Sequence, residues 1–378
     1  MTAQTLHPAE LSLVDIAAWR ALCAAEPAYA NPLMGPDFAL AVGEVRGDTR
    51  VTVWRRDGRA VAFLAHHRRP GGLARPVGAP LSDYHGVVAE AGFDGLAAMA
   101  EAGLSAYPFT GLIDPAGPLS GAVAGEREAY VIELDGEPAK YLEALRAASP
   151  KRFKNYRRLD HKLDREVGEL SVRAPDWDEA AFEQLLAWKR EQLIRTGAHD
   201  FLGPDWTRDL LRNLFARREG EFQGLMINLY AGDRLVAGHF GIRLGGVYHP
   251  WIASTDPALA AWSPGQVFLL RAIDAMGPLG LTSYDIGPGH DHYKKPYART
   301  VRRIGQGLAA TDSAFGLAAK AAESAWMWAG AGREGFVDKV KRRLDTIAMV
   351  ETSLAGRVRG LAAAAGALRK SDSESEAA

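Results

Sequence analysis

Apolar residues recur at helical spacing in some stretches of this chain and alternate with polar ones in others. The two rhythms together predict an α/β protein. Residues 8–25 carry Leu11, Leu13, Ile16, Trp19 and Leu22 in a helical pattern, and a short second helix is expected within 31–45. Segments 49–54 and 59–66 read as strands joined at Asp57-Gly58, a strong hairpin signal. An alanine-rich helix is expected over 91–106, a strand over 130–134 and a helix over 137–148. Helices follow at 177–195 and 207–217. Three successive strands, 225–230, 235–244 and 246–254, turn at Gly232-Asp233 and Gly245-Gly246. Strand 301–308 closes the sheet, and helices are expected at 315–328 and 336–368.

The stretch 263–297 organises the rest. Ser263-Pro264-Gly265-Gln266 starts a helix, and Val267, Leu270, Ile273 and Met276 form its apolar face. Pro264 suits the first turn, where its missing N–H costs nothing. The backbone N–H groups of that turn suit an anion such as a pyrophosphate, although the same residues also make an ordinary helix start. A short strand over 281–286 ends at Gly287-Pro288-Gly289. Beyond it the loop gathers Asp285, His290, Asp291, His292, Tyr293, Lys294 and Lys295, just past a strand end where α/β proteins often place chemistry.

A second feature is the helix opened by Ser149 as cap and Pro150 as first residue. Phe153, Tyr156, Leu163 and Val167 form its inner stripe, while Lys151, Lys154, Arg158, Lys162 and Arg165 gather on another face. Two readings stay open for that face, a solvated surface with internal ion pairs and a grip on an anionic acceptor. The same choice stands for Arg68, Arg69 and Arg75 in their glycine-rich loop. His66 and His67 have no carboxylate at ligand spacing, so no metal is expected there. His239 lies inside a strand, and Tyr248 and His249 lie on the next one.

Composition adds limits. With 378 residues the chain has room for two domains, and 47% hydrophobic with 24% charged residues is globular composition. The net charge of −1 gives no overall attraction to nucleic acid, and none is expected as a partner. A single cysteine, Cys23, excludes an intrachain disulfide and reads as a core residue. The first residues have no signal-peptide pattern, and no apolar run nears the roughly 20 residues of a membrane span. A cytoplasmic protein is expected, with contact at the inner membrane surface left open. The helical region 336–368 is rich in Lys and Arg, with Val337, Val340, Leu344, Ile347 and Val350 at helical spacing. It reads either as a cap or as an amphipathic surface for a membrane or an anionic regulator. The end, 371–378, is an acidic tail expected to be disordered.

Three blocks together resemble the CelD/BcsL-type acetyltransferases of the GNAT superfamily, relatives of the FemAB-type aminoacyltransferases. The first is Ser263-Pro264-Gly265 with Leu269-Leu270, then Asp285-x-Gly287-x-Gly289 and Tyr293-Lys294. The second is the basic stretch 149–158, and the third is the strand–turn–strand 229–238. The likeness spans roughly 31–311. It implies two GNAT-like domains of mixed sheet flanked by helices: a degenerate one over 1–145, a catalytic one over 146–312, and a helical extension over 313–378. It implies transfer of an acetyl group from acetyl-CoA to an amine, an amino sugar or polysaccharide precursor of exopolysaccharide production. Ser263, Pro264, Gly265 and Gln266 would hold the diphosphate. Asp285 and His239 are the candidate bases, Lys294 the oxyanion partner, and Tyr293 would position the acceptor or protonate the thiolate. Lys151, Arg152, Arg158 and Tyr248 would bind the acceptor. Asp285 and Lys294 are expected to matter more than His290 or His292. Two alternatives remain: a FemAB-like aminoacyl transferase, and a non-catalytic GNAT-fold effector of an anionic nucleotide such as a cyclic dinucleotide. The usual GNAT pyrophosphate pattern Q/R-x-x-G-x-G/A is absent, which leaves the effector reading open.

Overall fold

The computed structural model describes residues 1–289, 291–330 and 336–364. His290 and the tail 371–378 lie outside the described residues. In chain order the elements are β1 (Thr2–Leu6), α1 (Leu13–Ala25), α2 (Pro36–Val45), β2 (Thr49–Arg56), β3 (Arg59–Arg68), β4 (Ala74–Pro76), β5 (Val88–Ala89), α3 (Gly95–Glu101) and β6 (Ala106–Leu112). They continue with β7 (Val123–Glu133), α4 (Pro138–Ala148), α5 (Pro150–Val167), β8 (Leu170–Arg173), α6 (Glu179–Arg195), α7 (Asp205–Phe215), β9 (Phe222–Ala231), β10 (Arg234–Leu244) and β11 (Val247–Thr255). The last are α8 (Pro264–Ala275), β12 (Ser283–Pro288), α9 (Asp291–Lys294), β13 (Thr300–Ala310), α10 (Ala314–Gly330), α11 (Phe336–Val350) and a helix over 354–364, here α12.

The chain divides into two compact units, neither of them contiguous. Unit 1 takes Met1–Glu126, Gln192–Leu210 and Ile304–Ala378, and unit 2 takes Arg127–Glu191 and Leu211–Arg303. The expected helical extension thus groups with the N-terminal part, and the end of α6, the segment after it and the first part of α7 join it there. The α/β class holds, with sheet and flanking helices in each unit.

In unit 1, β1-β2-β3-β4 form an antiparallel sheet, with β5 also on β3. The predicted hairpin is present, with Asp57 at φ 52° and Gly58 at φ 80° in its turn. Trp54, Val61, Leu64, Tyr107 and Phe109 are among its core residues. The alanine-rich helix is shorter than expected, because Ala106 already begins β6, which pairs with β13. In the first helix the pattern holds at Trp19 but fails at Leu13, which is 84% exposed one residue after the Ser12 cap. Residues 8–10 form a separate 3-10 turn.

The arginines of the glycine-rich loop act as struts. Arg69 and buried Arg46 share the carboxylate of Asp48, and Arg75 pairs with Asp345 at 3.2 Å. His67 completes that cluster, with Nδ1 3.0 Å from Asp48 and Nε2 accepting from the Gly78 N–H. Among the described residues no group of three or more His, Cys, Asp or Glu is placed to hold a metal ion.

In unit 2 the strand order is β7-β12-β11-β10-β9-β8. All neighbours run antiparallel except β11 and β12, which run parallel. α8 is the crossover between them, as a parallel pair requires. Its apolar face, Val267, Phe268, Leu269, Ala272 and Ile273, packs with the buried stripe Phe153, Tyr156, Leu159 and Leu163 of α5 in one core. Ser149 donates no cap to α5, because it also closes α4, its N–H bonding Leu145.

Candidate functional site

The site begins where β11 and β12 part. Their parallel pairing covers only Val247 with Ser283 and Tyr248 with Tyr284. Both strands then carry an irregularity on their other edges. Against β10 the register jumps from Ile252 to Pro250, so Trp251 is skipped. Against β7 it jumps from Asp285 to Gly287, so Ile286 is skipped. Bulges bend the strand that carries them, and they often lie beside active sites. Here both lie just past the last shared pair. The result is a wedge between two parallel strands, opening toward their C-terminal ends.

α8 starts at the wide end. A Cβ built on Gly265 would lie 3.4 Å from the Thr255 methyl, so the helix start lies beside the last residue of β11. Ser263 stands in the left-handed region (φ 50°, ψ 53°), and its side chain caps nothing. The only first-turn closure is the N–H of Gln266 on the carbonyl of Ser263, 3.0 Å. Uncapped first-turn N–H groups carry the positive end of the helix dipole. Of the expected cofactor group, Gly265 presents a backbone N–H, that of Gln266 is engaged by the Ser263 carbonyl, Pro264 sets the turn, and the Ser263 hydroxyl makes no cap.

The loop after β12 folds over this turn. Tyr293 donates to the Gly265 carbonyl at 3.0 Å, and Tyr297 donates to the Gln266 carbonyl at 3.2 Å. Burial pushes both hydroxyls well above the ordinary phenol range, so they stay protonated donors. Lys294 reaches back to the Pro288 carbonyl at 2.8 Å, bracing the loop. Arg152 lies near enough to Tyr297 for its charge to act on that hydroxyl.

Side-chain alternation sorts the remaining residues onto two faces. On the α8 face, His239 shares a 2.6 Å hydrogen bond with Tyr284 through Nδ1. Burial, with help from Lys294 and Lys189, lowers its pKa to about 3. An imidazole this weakly basic cannot draw a proton from an ammonium near neutral pH, so His239 is a neutral orienting partner of Tyr284. Tyr248 is buried on the same face, and its hydroxyl lies 3.1 Å from the carbonyls of both Leu225 and His239. Its hydroxyl is engaged by strand backbone within the core.

On the opposite face, at the apex of the wedge, lie His249 and Asp285. His249 Nδ1 is 3.7 Å from Asp285 Oδ1, and both side chains are buried. Asp285 also accepts from the Gly287 N–H at 3.0 Å and from Arg302 at 3.3 Å. The strand does hold Asp285 rigidly, as expected of a base. Its oxygens, however, are engaged by Arg302 and backbone, an arrangement that favours a fixed carboxylate over one that gains and loses a proton. His249, Tyr284 and Arg302 are functional candidates that pattern reading alone did not select.

The basic helix divides in two. Lys151, Arg152, Lys154, Arg157 and Arg158 are exposed, and the stretch 150–159 has no acidic residue. From Asp160 onward the charges are paired: Asp160 with Arg271 at 2.8 Å, and Glu166 with Arg165 at 2.8 Å and Lys162 at 3.9 Å. The ion-paired reading therefore describes the second half, and the first half is an exposed positive face.

Comparison with known proteins agrees with this geometry. Residues 150–295 match the family model described as acetyltransferase (GNAT) domain. The match takes in α5, the wedge strands, α8 and the loop through Lys294, so this segment is similar to a GNAT acetyltransferase domain. No curated protein sequence matches the chain. Among solved structures, the chain is similar to FemX, at 10% identity and TM-score 0.49 over 81% of this chain and 96% of that one. It is also similar to the C-terminal domain of a putative lysylphosphatidylglycerol synthetase from Agrobacterium fabrum (11%, TM-score 0.47, 81% and 94%). A third is a tandem GNAT protein from the clavulanic acid biosynthesis pathway (10%, TM-score 0.46, 82% and 100%).

Proposed function

We propose that unit 2 is an N-acyltransferase that takes an acetyl group from acetyl-CoA and delivers it to an amine, with an amino sugar as acceptor class. The observation that carries this reading is the wedge with an uncapped helix start at its mouth. The edge of β11 facing the wedge continues past Tyr248 without β12, so its backbone is suited to pair with the amides of a pantetheine arm. The N–H group of Gly265 and the positive end of the helix dipole are suited to the diphosphate. Tyr293, bonded to the Gly265 carbonyl, lies at the diphosphate end of this path. Lys294 is suited to the developing oxyanion, and the departing thiolate takes its proton from solvent.

The acceptor enters from the face opposite α8, where His249 and Asp285 lie. The amine must lose a proton before its lone pair attacks the thioester carbonyl. His249 is the group assigned to take it, with the Asp285 carboxylate 3.7 Å from its Nδ1 and Arg302 paired with Asp285. The exposed half of α5, with Lys151, Arg152 and Arg158, supplies positive charge for a phosphate on donor or acceptor.

The test is release of free thiol from acetyl-CoA against a panel of amino sugars and their phosphates. Acetyl transfer to at least one panel member is expected, with the amide product seen by mass spectrometry. Transfer from aminoacyl-tRNA with no thiol release from acetyl-CoA would replace this reading with the aminoacyl-transfer one.

A further inference from the structure

Large apolar side chains are exposed at a few scattered positions in most of the chain, but they concentrate in its C-terminal helices. Phe315 (56%), Leu317 (52%), Met327 (61%) and Trp328 (83%) lie on α10, and Leu354 (80%), Val358 (65%) and Leu361 (46%) lie on α12. Soluble surfaces rarely gather apolar groups in this way without a partner for them.

The two helices show why these residues face out. α12 is inverted relative to an ordinary surface helix. Its small residues Gly356, Gly360 and Ala364 are the buried ones. A Cβ on Gly360 would lie 3.0 Å from Ile347 of α11, so small size is what allows this close docking. Leu354, Val358 and Leu361 then fall on the opposite side at a spacing of four and three. On α10, Leu317, Ala321, Ser324 and Trp328 share one exposed stripe by the same spacing. α11, whose apolar residues run at helical spacing, buries Ile347 and Val350 within unit 1. It is therefore the cap, and its neighbours carry the outward apolar faces.

Charge identifies the occupant. Residues 339–364 hold six Lys or Arg and two acids. Both acids are engaged, Asp345 with Arg75 at 3.2 Å and Glu351 with His199 at 3.3 Å. The stretch 354–364 has Arg357 and Arg359 and no acid at all. The chain as a whole is at −1, so this positive character is local. A second copy docking on the same patch would set these arginines against their own counterparts, which opposes a symmetric dimer. A surface of anionic lipid headgroups accepts both features, with leucines, Met327 and Trp328 at the acyl boundary and arginines among the headgroups.

We propose that α10 and α12 dock unit 1 on an anionic lipid surface, lying in its plane. The experiment uses the full chain with vesicles of phosphatidylcholine alone and of phosphatidylcholine mixed with phosphatidylglycerol, read by co-sedimentation. Binding to the mixed vesicles is expected, with loss on raising the salt. Leu354→Glu with Leu361→Glu is expected to weaken it about tenfold or more. Arg359→Glu is expected to weaken it by about fivefold or more. These side chains are exposed, so thiol release in solution should stay unchanged. Trp328→Ser on α10 provides an independent variant should the α12 pair disturb folding. Equal binding to neutral and mixed vesicles would overturn the anionic surface. No vesicle binding, or a concentration-dependent dimer abolished by the same changes, would overturn the lipid assignment altogether.

Discussion

Replacing His249 with Gln is expected to lower turnover about a hundredfold or more, with the KM for acetyl-CoA changed by less than about threefold. The reasoning is positional. His249 lies past the last residue pair that β11 shares with β12, on the face opposite α8. Gln keeps much of the volume and the hydrogen-bonding capacity but cannot take a proton from an ammonium. Asp285→Asn should also lose turnover, together with stability, because it leaves Arg302 beside a buried neutral group. His239→Gln is the comparison, since His239 is uncharged and acts through Tyr284. Steady-state kinetics on folded variants decides it. A loss at His239 that exceeds the loss at His249 would move the proton-accepting role to the α8 face.

The second large effect concerns acid. Burial lowers the pKa of His66 to about 3, of His67 and His85 to about 4, and of His239 to about 3. Each is near 6.5 when unfolded. The unfolded chain therefore binds protons that the folded one refuses, and stability falls as pH drops below about 6.5. By about pH 4 each such histidine costs roughly 3 kcal/mol. The sum is comparable to the whole stability of a typical domain. His85 shows the mechanism: its Nε2 accepts from the N–H groups of Thr110 and Gly111, both at 3.1 Å, and protonation turns that acceptor into a donor. Three of the four lie in unit 1. Denaturant titrations from pH 7.5 down to 4 should show unit 1 losing structure at higher pH than unit 2. Flat stability down to pH 4.5 would contradict this account.

Much of the fold is legible in the sequence because its elements are long and strongly periodic. The β2–β3 hairpin, the run β9-β10-β11 and the helices α5 and α8 all follow from local pattern. Short or interrupted strands do not. β6 contains Pro108 and Gly111, and it is a strand because β13 supplies its partner. The site is legible in the same partial way. The stretch from Ser263 to Lys294 can be found as a loop rich in titratable groups beside a helix start. What local pattern hides is register. Tyr248 and His249 are neighbours in sequence, yet one serves the core and the other faces Asp285, and only the pairing of Tyr248 with Tyr284 decides which. Arg302 reaches Asp285 from a strand that the sequence marks only as the end of the sheet. The C-terminal helices make the same point about burial. Periodicity finds α11, but which helix faces outward depends on Gly356 and Gly360 letting α12 sit close.

Acetyl-CoA is assigned to the wedge, with its diphosphate on the first turn of α8. Calorimetric titration of acetyl-CoA into the wild-type chain and into Gly265→Asp tests it most directly. An aspartate at the second helical position favours the helix itself, so the variant should fold. Its charge would stand beside the diphosphate, and its Cβ would lie 3.2 Å from the Tyr293 hydroxyl. One binding site per chain is expected in the wild type, with affinity reduced at least about tenfold in the variant, a loss of about 1.4 kcal/mol or more. Equal affinity in the two folded proteins, or no binding in either, would contradict the placement.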